Sequence, residues 1–371
     1  MSRTIVDTDP MLPFGSAPES QSDLQADSRP KPPFDSYPDD SPSASGLPPI
    51  LAPISPSHLS APIRRESAIA PLVEIFVGPE GLYPGARWLI YLALAYITFG
   101  LLNFLIDGLR PERVPIWWTM VVESRMMLAV ILPAFVMARI EARPFGDFGL
   151  PAKRAFGRDF WAGALWGIAS LTVLMLALAA FGAFSFGSLS LHGARIFKFA
   201  FYYAVFFLIV AFFEDFFMRG YSQWVLAQGM HFWPAAALLS ILFGVLHLLN
   251  PGEARIGIAA VMAIGFFFCL TLRRTGTLWW AVGFHMSWDW GESYLYSVPD
   301  SGTISRGHLL NPTFHGPAWL TGGSVGPEGS YLLFLLVFGL WLLFARVYPE
   351  VKYEVAAARY PDSSHPAHSL Q

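Results

Sequence analysis

Along the chain, apolar runs near the length that crosses a bilayer, about 20 residues, alternate with short borders rich in charge, Gly or Pro. The pattern predicts eight spans: 88–106, 117–138, 160–184, 197–226, 234–249, 256–272, 278–296 and 331–347. The second holds Glu123 and Arg125 and the fifth is short, so these two depart furthest from a plain lipid-facing helix. No repeat of 20 to 50 residues is visible in the series. The fold expected is all-α, a polytopic membrane bundle of about eight transmembrane helices.

Composition strengthens that reading. The chain of 371 residues is 54% hydrophobic and 14% charged, its mean hydropathy is +0.45, and soluble domains carry about 25% charged residues. A net charge of -3 supplies no basic field for nucleic acid, which is therefore not expected as a partner. Cys269 is the one cysteine, so an intrachain disulfide and a cysteine-built zinc cluster are both excluded. Residues 1–80 are different material, with Pro, Ser and Asp recurring without period, and are expected to be a disordered tail. Four segments follow: the tail 1–80, the first membrane helices 81–195, a catalytic set 196–298, and a loop, last helix and C-terminal tail over 299–371.

Loop charges set the expected orientation. With the N-terminus cytoplasmic, the inner segments hold Arg64, Arg65 and Arg87, then Arg139, Arg143, Lys153, Arg154 and Arg158, then Arg273 and Arg274, then Arg346, Lys352 and Arg359. The opposite side holds fewer: Arg110, Arg113, Arg195, Lys198, Arg255 and Arg306. Both termini are expected in the cytoplasm and the protein in a plasma (inner) membrane.

Ionisable groups inside spans are costly and point to function. Three places stand out: Glu214, Asp215 and Arg219 on the fourth span, His247 at the end of the fifth, and His285 with Asp289 on the seventh. Asp215 and Arg219 are four apart and share a helix face, where they can pair. Glu214 is turned about 100° from Asp215, so that arginine does not neutralise it in the same way. If the three faces converge, the groups can activate water in two ways. Glu214 can act with a histidine as general base, or Glu214, His247 and His285 can hold a Zn²⁺ that lowers the pKa of its bound water to about 7.

In order and spacing these elements resemble the CPBP family of intramembrane proteases, which includes CAAX-processing and bacteriocin-processing enzymes. The family pattern runs EExxxR, FxxxH and HxxxN or HxxxD; here it reads Glu214-Asp215-xxx-Arg219, Phe243-xxx-His247 and His285-xxx-Asp289. The resemblance spans about residues 200–292. It implies that Glu214 and His247 bind and activate water, that His285 and Asp289 stabilise the oxyanion, and that Arg219 holds Asp215 in support. It also implies a membrane-associated polypeptide as substrate. Asp215 stands where the pattern has a second glutamate, one methylene shorter. An ionised Asp289 only accepts hydrogen bonds, so it is expected to orient His285 rather than meet the oxyanion.

Other readings compete. A proton-coupled transporter would use the same buried acids and imidazoles as a relay, and a catalytically silent scaffold or immunity protein would keep the fold. No HExxH is present, and "GSLSLHG" (187–193) lies in a Gly-rich loop without triad context. "FGDFG" around Asp147 reads as a turn, and Asn250-Pro251-Gly252 as the turn that ends the fifth span. Glu253 reads as a loop charge paired with Arg255. Trp279, Trp280, Trp288 and Trp290 are expected to be interfacial anchors.

Overall fold

The computed structural model describes residues 76–355, apart from 79–80, 113–114, 251–253 and 304–305. The tail expected over 1–75, the charges Arg64, Arg65, Arg113 and Arg359, and the Pro251, Gly252 and Glu253 readings lie outside the described residues. Residues 76–78, assigned to the tail, carry regular structure: β1 (Val77–Gly78) pairs antiparallel with β2 (Gly81–Leu82).

The architecture is an all-α membrane bundle. Helix α1 (Pro84–Asp107) opens with proline in its first turn, where the missing N–H costs nothing and the fixed φ suits the helix. Phe104 is 82% exposed on it, with Leu101 and Ile97 beside it, an apolar surface suited to lipid. Helix α2 (Trp118–Ile140) runs through Pro133, and its Arg125 donates to the Asn103 side chain on α1 and lies 5.0 Å over Phe99. Then come α3 (Arg158–Ala180), α4 (Ala194–Arg219), α5 (Tyr221–Met230), α6 (Phe232–Leu246), α7 (Arg255–Thr275), α8 (Trp279–Trp290) and α9 (Tyr331–Val347).

Six stretches among the described residues are long and apolar enough to span: α1, α2, α3, α4 with α5, α6 with a following 3-10 turn, and α7. The seventh and eighth expected spans are helices too, but short ones. Helix α8 has 12 residues before six more continue as a π-helix, Gly291–Tyr296, and α9 has 17. The fourth span is not continuous to Leu226. It breaks at Gly220, where an added Cβ would stand 2.5 Å from the Phe216 carbonyl.

Helix α8 lies at the centre, packed by α3, α4 and α7. Its approach to α3 is backbone to backbone. A Cβ on Gly163 would fall 1.9 Å from the Trp280 carbonyl oxygen, and one on Gly283 would fall 2.1 Å from that of Phe160. Small residues spaced by four let membrane helices close to this distance, where dispersion replaces the missing hydrophobic drive. The central position also corrects the reading of the tryptophans as interfacial anchors. Trp279, Trp280 and Trp288 are buried, Trp280 completely, and the Trp290 indole donates to the Ala200 carbonyl of α4 at 3.0 Å. On a helix ringed by helices, indoles fill the core instead of reaching the headgroups.

The third expected span ends early, at Ala180. Residues beyond it form β3 (Phe184–Leu189), antiparallel to β4 (Leu310–Phe314), with Phe184 opposite Phe314 and Leu189 opposite Leu310. This ribbon takes in the first part of the "GSLSLHG" loop and joins it to the segment between α8 and α9. The Asp147 turn is a 3-10 turn, Phe145–Phe148, closed by Gly149 at φ +91°.

Candidate active site

Three helices deliver the polar residues to one place. On α4, Asp215 and Arg219 are buried and paired, Nη1 to Oδ1 at 2.6 Å. The guanidinium also donates through Nε to the Gly265 carbonyl of α7 at 3.1 Å, and lies 4.8 Å over the Phe243 ring and 5.2 Å over Phe268. Gly265 is needed there, because a Cβ would fall 2.7 Å from the Arg219 Nη2 atom. The arginine is thus held by one carboxylate, one carbonyl and two aromatic faces from α6 and α7.

The other oxygen of Asp215 faces α8, with Oδ2 lying 3.4 Å from Nδ1 of His285. Nε2 of the same ring lies 3.4 Å from Asp289 and 3.6 Å from Glu214. Both ring nitrogens therefore face carboxylates from two helices. Asp289, one turn along α8, is near His285 as its i,i+4 spacing predicts, but Asp215 reaches the opposite nitrogen. That contact was beyond sequence reasoning, which saw Asp215 only as the partner of Arg219. Among the described residues Glu214 pairs with no arginine, and its side chain keeps 23% of its surface exposed.

On α6, Nδ1 of His247 lies 2.9 Å from the Phe243 carbonyl. A carbonyl only accepts, so Nδ1 carries the hydrogen and, in the neutral ring, Nε2 keeps its lone pair. The Phe243 and His247 rings meet edge to face at 4.6 Å between centroids.

Glu214, His247, His285 and Asp289 all line one cavity of about 570 Å³. Asp215 and Arg219 stand behind its wall. Glu214 and His247, though carried by different spans, thus open into the same space. Its walls are largely aromatic, with Tyr202, Tyr203, Phe206 and Phe207 from α4 and Phe284 and Trp288 from α8. Three further acids line it that sequence reasoning had left aside, Glu123 from α2 and Asp300 and Glu328 from the segment between α8 and α9. Glu123 carried a signal, a carboxylate inside an apolar span; the other two sit in loops and carried none. Burial is the main cause that holds the Asp300 carboxyl well above the usual range, and Asp289 and Glu328 add to it.

Residues 196–291 match the family described as type II CAAX prenyl endopeptidase Rce1-like. The matched stretch runs from near the start of α4 to the first residue after α8, and so contains every polar residue of the three motifs. CAAX-type intramembrane endopeptidase is the activity of that family. No curated protein and no solved structure matches the chain. As to metal, the described residues gather one trio of ligand atoms within 4.8 Å of one another, and it is Glu292, Asp300 and Glu328. Glu214, His247 and His285, the trio expected to hold Zn²⁺, are not drawn together to that spacing.

Proposed function

We propose that the protein is an intramembrane endopeptidase that hydrolyses a peptide bond of a membrane-associated polypeptide, with Glu214 and His247 activating the attacking water. One observation carries this reading: Glu214, His247, His285 and Asp289, all in the stretch that matches the Rce1-like family, open into one cavity. Water held between the Glu214 carboxylate and Nε2 of His247 gives a proton to Glu214 as its oxygen attacks the scissile carbonyl carbon. Negative charge grows on the carbonyl oxygen, and in this scheme Nε2–H of His285 donates to it. The C–N bond then breaks as the proton on Glu214 passes to the departing nitrogen, and a carboxylic acid and an amine leave, the acid giving its remaining proton to the amine.

Asp215 and Asp289 act as positioning residues in this scheme. A carboxylate cannot donate to an oxyanion, and the two hold the His285 ring from opposite nitrogens, with Arg219 holding Asp215. No step passes through a metal, since the ligand spacing above does not suit Zn²⁺ at Glu214. In the same reading the protein is multi-pass in a plasma (inner) membrane, with both termini cytoplasmic and no nucleic-acid partner.

The test is a membrane-tethered reporter cleaved by purified protein in vesicles. Glu214→Gln is expected to lose at least about a hundredfold in rate, the scale of a general base, while inserting and unfolding like the unaltered protein. Undiminished cleavage by that variant overturns the assignment.

A further inference from the structure

Beyond the catalytic set, the end of α8 carries a second concentration of acid. Glu292 sits in the π-helical turn that follows α8, Asp300 in the next loop, and Glu328 in a 3-10 turn, Pro327–Gly329, just ahead of α9. One carboxylate oxygen from each lies within 4.8 Å of the other two. Glu292 is completely buried, and neither of its oxygens has a hydrogen-bond partner. The Trp288 indole approaches it without completing a bond to either oxygen. Its neighbours are only partly satisfied. Asp300 accepts from the Ser293 hydroxyl at 3.1 Å, and one oxygen of Glu328 takes both the N–H and the hydroxyl of Ser301, at 3.1 and 2.8 Å. Among the described residues, none of the three pairs with a lysine or arginine.

Two acids gathered around a third, fully desolvated carboxylate need a positive charge among them, because leaving a buried carboxylate unpaired is costly. The donor atoms are all hard oxygens, with no imidazole or thiolate in the trio, which suits Ca²⁺ or Mg²⁺ and not a soft metal. We propose that Glu292, Asp300 and Glu328 form a binding site for a hard divalent cation that ties the segment between α8 and α9 to the end of α8. Hydroxyls of Ser293 and Ser301 stand beside the trio, and water completes the shell. Asp300 and Glu328 line the same cavity as His285 and Asp289, so the ion fixes part of the cavity wall and is not one of the groups that act on the water.

The test uses full-length protein purified in detergent, stripped with EDTA and moved to chelator-free buffer. It is titrated calorimetrically with CaCl₂ and with MgCl₂, and its thermal unfolding is followed with and without each ion. One ion is expected to bind per chain and to raise the thermal midpoint. Affinity is expected to fall at least about tenfold in Glu292→Gln and in the partly exposed Glu328→Gln, since ligand charge count tunes such sites. Glu214→Gln is expected to bind as the unaltered protein does, so loss of catalysis and loss of the ion are read separately. No saturable binding up to about 10 mM, beyond even the weakest sites of this kind, overturns the proposal and leaves protons as the neutralising charge. Undiminished binding in both Glu292→Gln and Glu328→Gln overturns it as well.

Discussion

At the scale of single residues, Asp215 links the buried Arg219 to the His285 ring. Its two oxygens serve two partners on opposite sides, Arg219 at 2.6 Å and His285 at 3.4 Å. Asp215→Asn leaves a guanidinium buried without its counter-charge, and breaking a buried pair in this way costs about 3–5 kcal/mol. The expected result is a lowered denaturation midpoint together with a fall in kcat larger than any change in KM, because the imidazole loses the group on Nδ1. Asp215→Glu restores the acid that the family pattern carries. It is expected to keep the rate within about tenfold, the scale of a small displacement of a positioning group. Equal rates for Asp215→Asn and the unaltered protein would remove His285 positioning from the scheme. The pairing of Asp215 with Arg219 was legible from the four-residue spacing alone. Its reach to His285 was not, because residues 215 and 285 are brought together by the packing of α4 on α8.

At the scale of elements, the contact of α3 with α8 decides where His285 stands. Gly163 and Gly167 on α3 face Gly283 and the Ser287 hydroxyl on α8, and a Cβ on Gly167 would fall 2.2 Å from that hydroxyl and 2.3 Å from the Phe284 carbonyl. Gly167→Leu forces the helices apart and is expected to destabilise the protein by about 3 kcal/mol or more, above the usual range for overpacking because backbone cannot yield. Proteolysis and thermal unfolding in detergent measure this, and an unchanged midpoint would show that the contact is not close in solution. The signal was in the chain as "GALWG", residues 163–167, a small-xxx-small stretch on a span. Burial of Trp280 and its neighbours follows from the same contact. Tryptophan near the end of an apolar run has one meaning beside headgroups and another on a helix enclosed by helices, and hydropathy does not separate the two.

At the scale of the whole molecule, lipid-facing and protein-facing helices differ sharply. Helix α1 exposes Phe104, Tyr96, Leu101 and Leu105, whereas α8 exposes almost nothing. The positive residues of the loops predict that Lys153 and Arg195 lie on opposite sides of the bilayer, with Lys153 inside. Cys269 is buried, so a cysteine placed by Lys153→Cys or Arg195→Cys can be labelled on a quiet background. An impermeant maleimide added to intact cells is expected to modify Arg195→Cys and spare Lys153→Cys; the reverse pattern inverts the proposed orientation.

The number and continuity of the spans could not be read from the chain, whereas membrane class, helical content, the approximate places of the helices and the three polar clusters could. Each is a property of a local window, where hydropathy over some twenty residues or a spacing of four fixes the answer. The cavity could not be read that way. Glu123, Asp300 and Glu328 join it from separate segments, and the two partners of Asp215 and the enclosure of α8 depend on how closely helices approach. That distance is set by which small residues meet across an interface, a relation between remote parts of the chain that no window contains.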